Sequence, residues 1–273
     1  MNVYEYRCPL RWGDMDAQGH LNNAVYLDYL QEARVHFLLT GPPYLKELLD
    51  TGVLVVSHQV EYLAPVVFSE RGLLIRLWAD SVGGSRFVIA YDVFDGDVLC
   101  ARARTGAVPY DLANNTLRRL SPDEREVFSA YLNRSEPLRS VPKVTAGPDD
   151  HHYPLAVRWS DLDAYGHVNN VKYYDYIQEA RIALVTERLG WGESGMWLVV
   201  RQDVEYRRPI DFRLEPYEVV TAVAAVGNRS ITLSIEIRDP GSAEVYATAR
   251  TVLVGEFTLT ADQRDQVFGT RRP

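Results

Sequence analysis

The stretch RWGDMDAQGHLNN at residues 11–23 returns as RWSDLDAYGHVNN at residues 158–170. Aligning 11–34 with 158–181 gives 16 identities in 24 positions, closing on a shared QEAR. A period this long is a duplicated domain and not a solenoid of small units. The repeated side chains are of types that do acid–base chemistry. The carboxylates of Asp14, Asp16, Asp161 and Asp163 can take a proton or attack a carbonyl. His20 and His167, four residues after Asp16 and Asp163, can give or take one near neutral pH. Each segment runs into a helix start, where unpaired N–H groups and a partial positive charge suit a developing oxyanion. Asp14 and Asp161, the first acids of each D-x-D pair, fit equally well as braces for backbone N–H groups or the neighbouring arginine. Asn22 and Asn169 read as turn residues.

A bland alternative is a tight polar loop with a helix cap, and the duplication of the histidine and both asparagines weighs against it. A calcium loop fits only at its start. Its twelfth position would be Val25 or Lys172 where a bidentate glutamate belongs, and Tyr165 is a poor fifth-position ligand. Zinc has no Cys/His cluster at ligand spacing to hold it. No G-x-S-x-G elbow occurs, which argues against a serine α/β-hydrolase. The expectation is a site without metal or tightly bound cofactor.

The elements that must position these residues read alike in both halves. A short strand leads into the polar segment and a long helix follows, expected from about Asn23 to Leu39 and from Asn170 to about Leu189. In the first helix, Val25 or Tyr26, Tyr29 or Leu30, Ala33 and Phe37 form one apolar stripe. Asn22 or Asn23 is the natural N-cap. Strand-forming runs come next, among them VLVVSHQVEYLAPV and MWLVVRQDVEYRRPI. Leu73, Ile75, Leu77 and Ala79 alternate as one buried face, as do Ile231, Leu233, Ile235 and Ile237. Hairpin turns are expected at Asp95-Gly96 and at Asp239-Pro240-Gly241. Capped helices should begin after Ser121 and Thr260. The stretch 134–150, with Pro137, Pro142, Gly147 and Pro148, reads as a linker between domains at 1–133 and 151–273. One long helix against a curled antiparallel sheet, made twice, is an α+β arrangement. Duplication in one chain would fuse what was once a two-fold dimer.

Composition is that of a globular protein of 273 residues, with 47% hydrophobic and 24% charged side chains. A net charge of −8 argues against nucleic acid and anionic membrane as partners. Two cysteines at unmatched positions, Cys8 and Cys100, suggest a reducing compartment, and no apolar run approaches a membrane span. A cytoplasmic protein is expected.

The string R-W-x-D-x-D-x-x-G-H-x-N-N-x-x-Y-x-x-Y-x-x-x-A-R, with this element order, resembles the hotdog-fold thioesterases. The likeness is to the 4-hydroxybenzoyl-CoA thioesterase-like group and to plant acyl-ACP thioesterases, and it covers nearly the whole chain as a tandem, double hotdog. The resemblance implies a thioester hydrolase in which Asp16 and Asp163 act as base or nucleophile. It implies backbone N–H donors at Asn23 and Asn170, and a role for His20 and His167 in polarising water or protonating the leaving thiolate. Where the plant enzymes carry Asn between Asp and His, this chain has Gln18 and Tyr165, which weakens an Asp-Asn-His triad. A helix-borne base, as in another hotdog branch, would fall on Glu32 and Glu179.

An acyl-CoA substrate calls for cations near the pocket mouth. Candidates are Arg86 and Arg229 at matching turns, Arg104 and Arg250 on matching strands, and Arg207 and Arg208 where the first half has Leu63 and Ala64. The reading is an acyl-CoA thioesterase. An acyl-ACP thioesterase and a non-catalytic acyl-CoA-binding hotdog protein are the alternatives, and a homo-oligomer of the duplicated chain stays open. Gln18 in place of Tyr165, and arginines supplied by the second half, favour the pocket served by Asp16 and His20.

Overall fold

Period-two burial builds the sheets. Leu73, Ile75 and Leu77 are fully buried with Ala79 beside them, and Ile231, Leu233, Ile235 and Ile237 form the matching face of the second half. The structure, a computed structural model, describes residues 2–190, 197–242 and 244–268. Met196 and Ala243, within the strand runs read from sequence, lie outside the described residues. The chain divides into two units, Met1–Leu138 and Arg139–Pro273.

The first unit comprises β1 (Tyr4–Cys8), α1 (Tyr26–Thr40), α2 (Pro43–Thr51), β2 (Val53–Tyr62), β3 (Leu73–Val82), β4 (Phe87–Asp95), β5 (Val98–Asp111), β6 (Thr116–Leu117) and α3 (Pro122–Ala130). Its antiparallel sheet runs β1-β3-β4-β5-β2, with β6 a short addition to β5. Helix α1 packs on β1 and β3 and buries Tyr26, Leu27, Tyr29, Leu30, Ala33 and Phe37.

The second unit repeats the plan with β7 (His151–Leu155), α4 (Lys172–Leu189), β8 (Trp197–Tyr206), β9 (Tyr217–Val226), β10 (Ser230–Arg238), β11 (Val245–Gly255) and α5 (Ala261–Phe268). Its antiparallel order is β7-β9-β10-β11-β8. Helix α4 packs on β7 and β9.

Several local expectations shift. Both long helices start later than the asparagines suggest, at Tyr26 and Lys172, and their caps are Val25 and Val171 without side-chain bonds. The asparagine oxygens are used one turn earlier, as the site shows. Helix α2 was not expected. Its signal is Pro43 at the first turn of PYLKELLDT, where a missing N–H costs nothing. The β4–β5 turn is Gly96-Asp97, one residue later than expected, because Asp95 still pairs with Val98 and Gly96 takes the positive φ of +61°. Helix α3 has the expected Ser121/Glu124 capping box, and Thr260 and Gln263 make the same reciprocal bonds before α5.

The 134–150 stretch is fastened to the sheets on either side of the division. Ser135 N–H donates to Asp80 (2.7 Å) and Arg104 donates to the Glu136 carbonyl (2.6 Å). Further on, Val144 N–H donates to the Ser234 hydroxyl (3.0 Å), and Ala146 packs against Val220 and Ala222.

Candidate active site

Each polar segment is folded by short-range hydrogen bonds that recur in both halves. A single 3₁₀ turn, Trp12–Asp14 or Trp159–Asp161, opens it. The carboxylate of Asp14 accepts from Arg11 Nε (2.8 Å) and from the Tyr29 hydroxyl (2.5 Å). Asp161 accepts from the Arg158 N–H (2.8 Å) and the Tyr176 hydroxyl (2.7 Å). These first acids are therefore braces. Burial and the bond to Asp14 push the Tyr29 phenol up to about 12, and the same causes raise Tyr176, so both remain donors at any working pH.

The next five residues form a miniature hairpin. Asp16 N–H donates to the His20 carbonyl (2.7 Å) and Gly19 N–H to the Asp16 carbonyl (3.0 Å); for Asp163, His167 and Gly166 the distances are 2.9 and 3.0 Å. Gly19 and Gly166 take φ of +75° and +80°, a conformation that a Cβ would strain. The hairpin is anchored to the segment after the following strand by Leu21 N–H to the Val66 carbonyl (2.8 Å) and Val168 N–H to the Ile210 carbonyl (2.9 Å).

Within this frame Asp16 Oδ1 accepts from the N–H groups of Gln18 (2.9 Å) and His20 (3.2 Å), and Asp163 Oδ1 from that of Tyr165 (2.8 Å). Positions 18 and 165 thus serve through the backbone, which asks little of their side chains. The second oxygen of each carboxylate has no donor among the described residues. His167 Nε2 stands 3.6 Å from Asp211 Oδ1, while the corresponding residue in the first half, next after Val66, is Val67.

The asparagine pair follows. Asn22 Oδ1 accepts from Ala24 N–H (2.9 Å) and its carbonyl from Val25 N–H (3.1 Å). Asn169 does the same with Val171 (3.2 Å) and Lys172 (2.9 Å). The N–H groups of Asn23 and Asn170 have no acceptor among the described residues. They are spare donors in the turn before the helix, three and two residues ahead of Tyr26 and Lys172. One short loop therefore carries a carboxylate oxygen and an N–H without partners among the described residues, together with an imidazole, twice.

The arginines are placed differently. Arg104 and Arg250 lie opposite Gln59 and Asp203 in the ladders, on the sheet face away from Tyr62 and Tyr206, whose hydroxyls reach the loops. They pair with Asp80 (3.6 Å) and with Asp203 and Glu205 (3.5 and 3.6 Å). Arg86 donates to the Ser57 hydroxyl, and Arg229 to the carbonyls of Gly255 and Glu256. Of these arginines, only Arg207 directly follows a residue that touches the loop, and Arg208 comes next after it. Both are exposed, and Arg208 pairs with Glu244 (2.8 Å). Glu32 and Glu179 are exposed on their helices. Among the described residues no group of three or more His, Cys, Asp or Glu stands at metal-binding distance.

Sequence reasoning missed Tyr29, Tyr176, Tyr62, Tyr206 and Asp211. The available signal for the second tyrosine pair was the repeated V-E-Y in the strands after the helix.

A model of a thioesterase-like superfamily matches residues 10–142 and 157–256, one segment in each half. The chain belongs to the thioesterase-like superfamily. A presumed esterase of Aquifex aeolicus (strain VF5) is 31% identical over 103 residues, 37% of this chain and 79% of that protein. Among solved structures, a presumed oleoyl thioesterase from Lactobacillus plantarum aligns with a TM-score of 0.74 at 14% identity, over 93% of this chain and 96% of its own. The 12:0-ACP thioesterase from Umbellularia californica aligns with a TM-score of 0.70 at 17% identity, over 92% and 93%. The fold is the tandem hotdog, and thioester hydrolysis is the reaction class to which this superfamily membership points.

Proposed function

We propose that this chain hydrolyses acyl-CoA thioesters to the free acid and CoA, using the loop at 11–23 and its copy at 158–170. The observation that carries the reading is the presence, in each loop, of a carboxylate oxygen and a backbone N–H that both lack partners among the described residues. Oδ1 of Asp16 or Asp163 is held by backbone donors, which leaves the other oxygen free to take a proton from a water as that water attacks the acyl carbon. As the carbonyl becomes tetrahedral, the N–H of Asn23 or Asn170 donates to the developing oxyanion. His20 or His167 donates a proton to the departing thiolate, and the acid leaves. Arg207 and Arg208 are the cations best placed to meet the phosphates of CoA. Cys8 and Cys100 are free and buried, which suits a cytoplasmic enzyme. No helix is long and apolar enough to cross a membrane among the described residues.

A second reading, an acyl-ACP thioesterase, draws support from the likeness to the Umbellularia californica enzyme over nine-tenths of both chains. The net charge of −8 works against an acidic carrier protein. Steady-state hydrolysis of matched acyl-CoA and acyl-ACP panels, read by free thiol, separates the two. We expect faster turnover on CoA. Faster turnover on ACP selects the second reading, and no thiol release from either panel leaves a non-catalytic acyl-CoA-binding protein.

A further inference from the structure

We propose that Tyr62 and Tyr206 are positioning residues that aim the N–H groups of Asn23 and Asn170 at the acyl oxygen, a role that rests on the hydrolase reading above. Tyr62 ends β2 and its hydroxyl donates to the Asn23 carbonyl at 2.7 Å. Tyr206 ends β8 and donates to the Asn170 carbonyl at 2.9 Å. Each ring is met edge-on by the tyrosine near the start of the long helix. Tyr26 stands 5.1 Å from Tyr62 at 82°, and Tyr173 stands 5.0 Å from Tyr206 at 87°. Burial pushes the phenols of Tyr26 and Tyr173 well above the ordinary tyrosine range, so these neighbours stay neutral.

The bond acts on the donor through the geometry of two adjacent peptides. The peptide joining Asn23 to Ala24 is clamped at both ends, its carbonyl by Tyr62 and its N–H by Asn22 Oδ1. The peptide joining Asn22 to Asn23 is clamped at one end, its carbonyl accepting from Val25 N–H. Peptides are rigid planes, so three fixed ends leave the fourth group, the Asn23 N–H, with a set direction and no partner among the described residues. The second half repeats every element of this, with Asn169, Asn170, Val171, Lys172 and Tyr206. An oxyanion donor contributes through preorganisation, because its orientation is settled before charge develops. Without the phenol hydroxyl the 23–24 peptide can rock, and the donor with it.

The test is the full chain carrying Tyr62→Phe and Tyr206→Phe, which keeps both rings and deletes only the hydroxyls. Turnover of the best thioester from the panel should fall about tenfold in kcat, with KM changed less than about twofold, since the lost interaction is realised in the transition state. The carbonyl stretch of [1-¹³C]octanoyl-CoA, bound to the Asp16→Asn/Asp163→Asn chain, should move toward its free-solution frequency when the two Phe changes are added. A tie that merely stabilises the fold would lower the melting temperature and leave both readouts in place. Should the double Phe chain fail to fold, Tyr62→Phe measured in an Asp163→Asn background reports the first site alone. Unchanged kcat and carbonyl frequency in chains whose Asp variants are inactive would overturn this inference and leave the hydrolase reading intact. An inactive wild-type chain would overturn both.

Discussion

In the first half, two backbone N–H groups hold Asp16, and the residue matching Asp211 is Val67. In the second, one N–H holds Asp163, and His167 stands 3.6 Å from the Asp211 carboxylate. The strand that supplies the tyrosine brace differs too, with Ser57-His58-Gln59 in one half and Arg201-Gln202-Asp203 in the other. Yet the hairpin bonds, the positive-φ glycines and the tyrosine braces recur in both halves. Backbone hydrogen bonds depend on chain geometry and are nearly blind to side-chain type, so the frame tolerates substitution. The surroundings of the titratable groups have no such protection, and there the copies have diverged.

Removing both proposed bases should have the largest effect. Asp16→Asn with Asp163→Asn keeps the size and the acceptor oxygen for the hairpin, and should cost roughly 10²–10⁴ in kcat. Wild-type turnover in that chain would move attention to Glu32 and Glu179. Single changes sharpen the comparison between halves. Because two N–H groups hold Asp16 and one holds Asp163, Asp16→Asn should lower kcat more than Asp163→Asn, with the remainder carried by the second site. Equal losses of about half would mean equivalent sites, and a larger loss from Asp163→Asn would reverse the order.

A stability difference should also separate the halves. His58 is fully enclosed, and burial, aided by the Arg34 guanidinium, holds its imidazole well below the ordinary histidine range. Below about pH 6.5 the unfolded chain binds a proton that the folded chain refuses, so the contribution is complete above that pH and is lost as pH falls. The loss runs at up to about 1.4 kcal/mol per pH unit as pH falls. Replacing His58 by the residue of the second half, His58→Gln, should remove that part of the acid sensitivity in urea unfolding at pH 7.5 and 5.0. An equal drop in both chains would mean that His58 already carries a proton in the fold.

The smallest expected effect concerns Asp211. Its pairing with His167 is exposed, and such pairs are worth about 0–1 kcal/mol. Asp211→Asn should slow the second site, measured in an Asp16→Asn background, by less than about fivefold, and leave the first site untouched in an Asp163→Asn background. The same slowing in both backgrounds would remove this distinction between the halves.

The polar segment was legible because its chemistry is local. The bonds made within the segment join residues two to eight positions apart, from Gln18 and Asp16 to Asn22 and Asp14, so the string D-x-D-x-x-G-H-x-N-N encodes most of its own loop. Strand alternation at Leu73–Ala79 and Ile231–Ile237 was legible for the same reason, since burial period follows directly from strand geometry. Helix starts were read too early because an asparagine before a helix can cap the helix or the preceding turn. The choice fell to the turn, where Asn22 and Asn169 satisfy the N–H two residues on. The arginines illustrate the opposite limit: which sheet face Arg104 and Arg250 occupy relative to the loops depends on strand register, which a matched position in a repeat does not reveal. The tyrosine braces span 39 and 36 residues. The sequence by itself determined the duplication, the loop and the side chains that can do chemistry. Which distant hydroxyl clamps the Asn23 and Asn170 peptides was decided only when the ends of β2 and β8 were brought against the loops, because a contact across that much chain depends on where the whole sheet places its strand ends.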